Sequence, residues 1–521
     1  MTILLQNDEL GVRLRASDRN VASCTNTTQL FFDASCRRAA DPAVIAPDGR
    51  CLWTFEELAR SAASLASELI RRGVAPGDRV LALPVGQREA IRAAAAVLWA
   101  GATLVIPPTS LGLRRALRAA VDAKPRAVMV EPRAWMLAAV EPRLLAIPIR
   151  VATSRSLGSS MPGLRGLGDL MPPVACSPQQ PAVVSFTTGT TGPPKAIVKS
   201  HAVLTAQHRA LHRLCGGRPD DVDLAGVPLL VLHNLARGVT SVLPPPGSTQ
   251  SLGFGRATAA AIECCGVTTM AGFPSLFEAL ARETSPGQLS GLRSMHVGGA
   301  HVRSALVRDL LDRAPNAEVS VVYGSTEAEP ISSIGAHEYL ACEPELLAGR
   351  GICVGRPVAE VTIGYSKLTE RMIGAGSDTG PILVRGPQVV ASNPCSVLDT
   401  GDVGRLDECG RLWLMGRAAN VGPGPLYPAQ VEPSVAALPW VRAAALFNDA
   451  RSGGVRAALA VETGARITRS QRAQRLSELQ VLVASRGWPI SDLLLLRRLP
   501  RDHRSGSKMD YERLKSSLGR R

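Results

Sequence analysis

Aromatic side chains make up only 4% of this chain, no two cysteines stand at a Cys-x-x-Cys spacing, and Lys and Arg never gather into a block. No segment reaches the roughly 18 uninterrupted apolar residues of a membrane span. Each absence removes a class of function. The 11 cysteines are irregularly spaced, with Cys264 and Cys265 adjacent, which excludes a zinc ribbon or a disulfide framework and fits a reducing compartment. A net charge of +15 and a pI near 9.8 would suit a nucleic-acid binder. Yet the arginines are scattered through Arg/Ala helices such as Leu113 to Ala123, without aromatic interleaving, so the charge reads as compositional bias and no nucleic-acid partner is expected. The opening Met1-Thr-Ile-Leu-Leu-Gln-Asn-Asp-Glu has no basic n-region, and the expected location is cytoplasmic.

What is present describes a folded chain of more than one domain: 521 residues, 45% hydrophobic and 20% charged. Residues 1–27 are polar and aperiodic and read as a flexible arm. From Asp41 the pattern is regular. Asp41 to Ala46 reads as a strand, and Thr54-x-x-Glu57 is a capping box opening a helix toward Arg72 with Leu58, Ala62, Leu65 and Leu69 on one face. Strands at Val80–Leu83, Gly101–Ile106 and Ala127–Val130 alternate with helices at Glu89–Trp99 and Leu113–Val121, the signature of a parallel sheet covered on both faces. Residues 150–180 form a connector rich in Ser, Gly and Pro.

That connector delivers the chain to Val183-Val-Ser-Phe-Thr-Thr-Gly-Thr-Thr-Gly-Pro-Pro-Lys195. Val183 to Phe186 is a short β-branched run, too brief for a stable helix, and reads as a buried strand. In the loop after it, Gly189 and Gly192 permit positive φ and leave no Cβ in the way, so successive N–H groups can converge on an anion. Thr187, Thr188, Thr190 and Thr191 add hydroxyls and Lys195 an ammonium. Two prolines precede the lysine, so this is not a Walker A loop.

Downstream, Leu292-Arg-Ser-Met-His-Val-Gly-Gly-Ala300 and Val319-Ser-Val-Val-Tyr-Gly-Ser-Thr-Glu-Ala328 each run from a buried strand into glycine, where ligands of open α/β sheets gather. Leu398 to Arg417 reads as a β-hairpin turning at Cys409-Gly410, Ala418–Tyr427 as a hinge, and the remainder as a small lid ending near Lys508. One at a time, Glu327 could cap a helix, Asp402 a turn, and Arg417 and Lys508 could be solvated surface.

Together and in this order, from about residue 30 to residue 515, these landmarks resemble the adenylate-forming superfamily of acyl-CoA synthetases, luciferases and peptide-synthetase adenylation domains. The resemblance implies an α/β fold: a large multi-lobed N-terminal domain with parallel-sheet lobes (28–417) and a small mobile α+β C-terminal lid (418–521). It implies ATP and Mg²⁺ as cofactors and a small-molecule carboxylic acid as substrate. Carried over residue by residue, Thr187, Thr188, Gly189, Thr190, Thr191, Gly192 and Lys195 would line the pyrophosphate site. Gly298, Gly299 and Ala300 would wall the adenine pocket, with Tyr323 and Gly324 at the base. Thr326 would touch the α-phosphate, Glu327 would hold the metal, Asp402 would accept the ribose hydroxyls beside Arg417, and Lys508 would bridge carboxylate and α-phosphate.

Ala419 at the hinge, Val421-Gly-Pro-Gly-Pro-Leu-Tyr-Pro428 in place of Lys-x-x-Gly, and Ser-Gly-Ser-Lys508 depart from the family pattern. These departures weigh against thioester formation with CoA. Tyr323-Gly-Ser-Thr-Glu-Ala-Glu-Pro-Ile-Ser-Ser-Ile-Gly335, Gly424-Pro-Leu-Tyr-Pro428 and Asp502-His-Arg-Ser-Gly-Ser-Lys508 look like the olefin-pathway β-lactone synthetases, which adenylate a β-hydroxy acid and let its own hydroxyl displace AMP. On that reading Pro228 to Gly238 lines the acyl pocket, with Val231, His233 and Asn234 facing substrate. His233 either takes the hydroxyl proton or is a packed, neutral core histidine, and His201 has the same structural alternative. An acyl-CoA ligase, or an adenylation enzyme loading a carrier-protein thiol alongside other biosynthetic pathway enzymes, is the second reading. A basic binding protein on a decayed enzyme fold is the third.

Overall fold

The computed structural model describes residues 26–83, 86–108, 111–153, 170–187, 194–364, 379–390, 397–421, 426–449, 456–464, 467–501 and 509–518. The helices that matter below are α1 (Thr28–Arg37), α2 (Phe55–Arg71), α3 (Gln87–Trp99), α4 (Leu113–Asp122), α5 (His201–Cys215) and α6 (Pro228–Arg237).

The first lobe is a six-stranded sheet in the spatial order Ile149–Ala152, Ala127–Val130, Arg79–Leu83, Thr103–Val105, Pro181–Thr187, Lys195–Ser200. The first five run parallel and the last antiparallel. Their near-continuous apolar runs follow from burial on both faces. Alternate residues point opposite ways. Val80, Leu104, Met129 and Val183 join the core under α2 and α3, while Leu81, Val105, Val128 and Val184 pack against Leu117 and Ala120 of α4. The capping box of α2 forms as expected: Thr54 Oγ1 accepts from the Glu57 N–H at 3.2 Å, and Glu57 Oε2 accepts from the Thr54 N–H at 2.9 Å.

The second sheet has thirteen strands. Six neighbouring strands of it are parallel: Pro42–Ile45, Thr240–Val242, Val222–Ala225, Thr269–Gly272, Ser294–Gly298 and Glu318–Ser325. From Ala328 onward the chain adds antiparallel strands, including Leu398–Leu406 paired with Leu412–Arg417. A third, three-stranded sheet joins Ala443–Asp449, Arg456–Glu462 and Ile490–Leu496.

The arm expected over residues 1–27 ends earlier. The Asn26 amide donates to the carbonyls of Leu98 (2.9 Å) and Val174 (2.7 Å), and the Thr27 N–H donates to His201 Nδ1 at 3.2 Å. A buried amide cannot be left unpaired cheaply, so these two residues are fixed to the fold; residues 1–25 lie outside the described residues. His201 is buried, and burial pushes its imidazole down to about 4, which leaves it neutral and structural.

In the small third unit, Glu432 of the helix Pro428–Ala436 is half-buried, accepts from the Leu446 N–H (2.9 Å) and the Tyr511 hydroxyl (3.0 Å), and is raised by burial to about 7 from an ordinary 4.5. Below pH 4.5 folded and unfolded chains are both protonated here. Between 4.5 and 7 only the unfolded chain releases the proton, so the unit loses stability as pH rises through that window, by about 3 kcal/mol for a shift of this size. Glu432→Gln should flatten the loss. Protection factors over residues 443–496, corrected for the intrinsic pH dependence of amide exchange, should differ between pH 5 and pH 8 in the parent chain and agree in the variant.

Candidate active site

Three parallel strands of the large sheet end together in Gly272, Gly298 and the Tyr323-Gly324-Ser325 segment. Gly299 has φ +82°, and a Cβ there would stand 2.6 Å from the Phe273 ring. The half-buried backbone of Gly298, Gly299 and Ala300 thus forms a flat wall that only glycine permits. Gly299→Ala meets both the backbone strain and the ring, and we expect a loss of about 1–3 kcal/mol in thermal unfolding.

Beyond Tyr323 the chain does not enter a helix. The strand Glu318–Ser325 turns directly into the antiparallel Ala328–Gly335, pairing Ser325 with Ala328, and Thr326 and Glu327 are the two turn residues. The helix-capping alternative for Glu327 therefore falls. Its carboxylate has no hydrogen-bond or ion-pair partner among the described residues, and its carbonyl accepts from the Val390 N–H at 2.7 Å.

Asp402 is brought to the same end. Its Oδ2 accepts from the Tyr323 hydroxyl at 2.7 Å, and its Oδ1 lies 3.0 Å from Arg417 Nε. Arg417 Nη1 also donates to the Thr400 carbonyl at 3.0 Å. The hairpin supplies this geometry by pairing Asp402 with Arg417 across its strands. Burial first, then Asp402, holds the Tyr323 phenol protonated far above its ordinary range.

The glycine-threonine loop bridges two antiparallel strands with Thr187 opposite Lys195; Thr188, Gly189, Thr190, Thr191 and Gly192 lie outside the described residues, as does Lys508. A polar chain ties this hairpin to the Glu327 turn. Lys199 Nζ donates to Gln207 Oε1 (3.2 Å), and Gln207 Nε2 donates to the Gln388 carbonyl (3.4 Å). Two residues on, Val390 holds the carbonyl of Glu327. Sequence reasoning missed Gln207 and Gln388. The available signal was a glutamine next to the apolar stripe Leu204, Leu211 of α5.

Between α1, α3, α5 and α6 lies a void of about 60 Å³ walled by Phe31, Leu98, Leu204 and Leu232, with Thr27, Thr28, Gln207, His208 and His233 as polar residues. Of the three residues expected to face substrate, His233 lines this void. Val231 packs into the core, and Asn234 donates to Asp223 Oδ2 (2.7 Å) and Ser241 Oγ (3.1 Å). His233 and His208 meet Nδ1 to Nδ1 at 3.0 Å. Burial first pushes both imidazoles down, His208 to about 4 and His233 well below the ordinary histidine range, and so holds both neutral. Among the described residues no helix is long and apolar enough to cross a membrane, and no group of three or more His, Cys, Asp or Glu could hold a metal alone.

Comparison with known proteins identifies the family. Residues 31–392 match the family model for AMP-binding enzymes. An olefin beta-lactone synthetase of Xanthomonas campestris pv. campestris is 28% identical over 88% of this chain and 90% of its own length. A 2-succinylbenzoate–CoA ligase of Arabidopsis thaliana is 28% identical over 52% of this chain and 54% of its own. The amide bond synthetase McbA of Marinactinospora thermotolerans superposes with a TM-score of 0.76 over 94% of this chain and 99% of its own, at 24% identity, a likeness of fold. Two-thirds of the chain falls within the family model, so the protein belongs to the AMP-binding, adenylate-forming enzymes and is an AMP-forming ligase that adenylates a carboxylate.

Proposed function

We propose that this enzyme adenylates a β-hydroxy acid with ATP and then closes it to a β-lactone, releasing AMP without a thiol. The observation that carries the adenylation half is convergence: the Gly298–Ala300 wall, the Tyr323–Asp402–Arg417 cluster and the Thr326–Glu327 turn share one end of one sheet. The polar chain from Lys199 to Gln388 holds the phosphate hairpin beside them.

The adenine lies on the Gly298-Gly299-Ala300 backbone against Tyr323, and Asp402 accepts the ribose hydroxyls while Arg417 holds its other oxygen. Thr326 donates to the α-phosphate. Glu327 fits Mg²⁺: it is an uncommitted hard oxygen donor, and this ion is usually bound by one or two carboxylates plus substrate phosphates and water. Bound there, the ion would neutralise phosphate charge as pyrophosphate leaves. Thr187, Lys195 and the loop between them grip the β- and γ-phosphates, and Lys508 spans the carboxylate and the α-phosphate. The protein's work is alignment and charge neutralisation.

The second half rests on the kinship with olefin beta-lactone synthetases over most of the chain and on the departures at Ala419, Val421–Pro428 and Lys508. A hydroxyl tethered two carbons from the acyl phosphate substitutes proximity for a second substrate. His233 is positioned as its base. Incubation of 3-hydroxy acids with ATP and Mg²⁺ in the absence of thiols should give sustained AMP and a lactone by mass spectrometry. An absolute requirement for CoA or a carrier-protein thiol would instead support the ligase reading that the succinylbenzoate–CoA ligase kinship favours.

A further inference from the structure

We propose that His233 and His208 form a two-imidazole relay that carries the β-hydroxyl proton out of the acyl cavity during ring closure, a role that rests on the lactone-forming reading above. Geometry supports this first. His233 is buried and lines the void, and its Nε2 has no hydrogen-bond partner among the described residues. A buried ring nitrogen that none of the chamber's other polar side chains satisfies awaits a polar group. Its Nδ1 is already committed to His208.

A bond between two Nδ1 atoms admits only one proton, so the pair has two tautomeric arrangements. In one, His233 carries Nδ1–H and offers a bare Nε2 to the chamber. In the other, the proton has crossed to His208 and His233 carries Nε2–H. Passing from the first to the second takes one proton in at His233 Nε2 and moves another across to His208 Nδ1. His208 then releases its own Nε2 proton. The exit lies toward solvent: His208 is half-buried, and its ring stacks at 6.4 Å on exposed His212 one turn along α5.

The step balances. The hydroxyl oxygen bonds to the acyl carbon, the acyl carbon–oxygen bond to phosphate breaks, and AMP departs with that electron pair. The hydroxyl proton enters His233, a second crosses to His208, and a third leaves to water. A neutral pair is required, since a charged imidazole would have no site to receive. Burial supplies that neutrality, reinforced for both rings by Arg237, which faces them from the end of α6, by His212, and for His208 by Arg209.

The placement is also suited to the nucleotide. His208 follows Gln207, whose amide reaches Gln388 beside the Glu327 turn, so the relay and the acid-bearing turn share one buried connection.

Single-turnover rapid quench with a 3-hydroxy acid and ATP measures formation and decay of the acyl-adenylate separately. His233→Asn should slow adenylate decay to lactone roughly 10²-fold, the usual scale of general-base loss. His208→Gln keeps a hydrogen-bonding group opposite His233 but cannot pass a proton; decay should slow at least tenfold. A proton inventory in mixed H₂O and D₂O should bow for the parent chain, with more than one proton in flight, and become linear for His208→Gln. Equal decay rates and equal inventories in parent and His208→Gln would overturn the relay while lactone formation stands. If the parent forms adenylate from 3-hydroxy acids that decays only with added thiol, the lactone reading fails, and the relay with it.

Discussion

Lys508→Ala should lose acid-dependent pyrophosphate release by roughly 10²–10³-fold, the scale seen when one donor to a developing oxyanion is removed. The reaction brings a carboxylate onto a triphosphate, two anions that repel. A single ammonium about 4 Å from both contributes on the order of 4 kcal/mol at an effective dielectric of 20, which matches a loss at the upper end of that range. Lys508 lies outside the described residues; Arg501 and Met509, which flank that stretch of sequence, pair in an antiparallel bridge. Lys195→Ala should cost far less, about tenfold, because Lys195 is an exposed strand end whose ammonium is solvated. Pyrophosphate exchange with a saturating acid distinguishes the two. A Lys508→Ala chain with parental exchange would reject the placement of this lysine at the reacting centre.

Asp402→Ala is the second large effect, and it should divide between binding and stability. The carboxylate accepts the Tyr323 hydroxyl and pairs with Arg417 while its side chain is only 13% exposed. Hydrogen bonds to a charged group contribute about 1.5–3 kcal/mol, so losing the ribose contacts should raise the KM for ATP roughly 10–100-fold. The same substitution strands a half-buried phenol, at about 1 kcal/mol of folding stability. Asp402→Asn retains an acceptor for Tyr323 and should recover most of the stability while still weakening ATP binding. If KM for ATP is unchanged in both variants, Asp402 does not touch the ribose.

Local features were legible in the sequence because they depend on neighbours along the chain. The Thr54–Glu57 capping box, the strand ending at Gly298-Gly299 and the hairpin from Leu398 to Arg417 are each fixed by turn chemistry and periodicity within about twenty residues. What was not legible depends on pairing at a distance. Nothing in the segment around Tyr323 announces that its hydroxyl meets Asp402, 79 residues later. Asn26 looks like the end of a polar arm until Leu98 and Val174 come to meet it. Asn234 reads as a pocket residue in an apolar run, yet strand neighbours Asp223 and Ser241 claim its amide. His208 is silent in sequence for the same reason: its partner sits on another helix.

Arg417 is the last residue of its strand, and Ala418–Asn420 follows at once as a single 3₁₀ turn before the closing unit. The guanidinium that braces the Asp402 carboxylate is therefore one peptide bond from the pivot about which that unit would swing. Torsion at the pivot has no slack in which to dissipate before it reaches Asp402. Swivelling of the last hundred residues and tightness of grip on the nucleoside should accordingly be one coordinate, and a stiffer residue in place of Ala419 would be felt as a change in how long AMP stays.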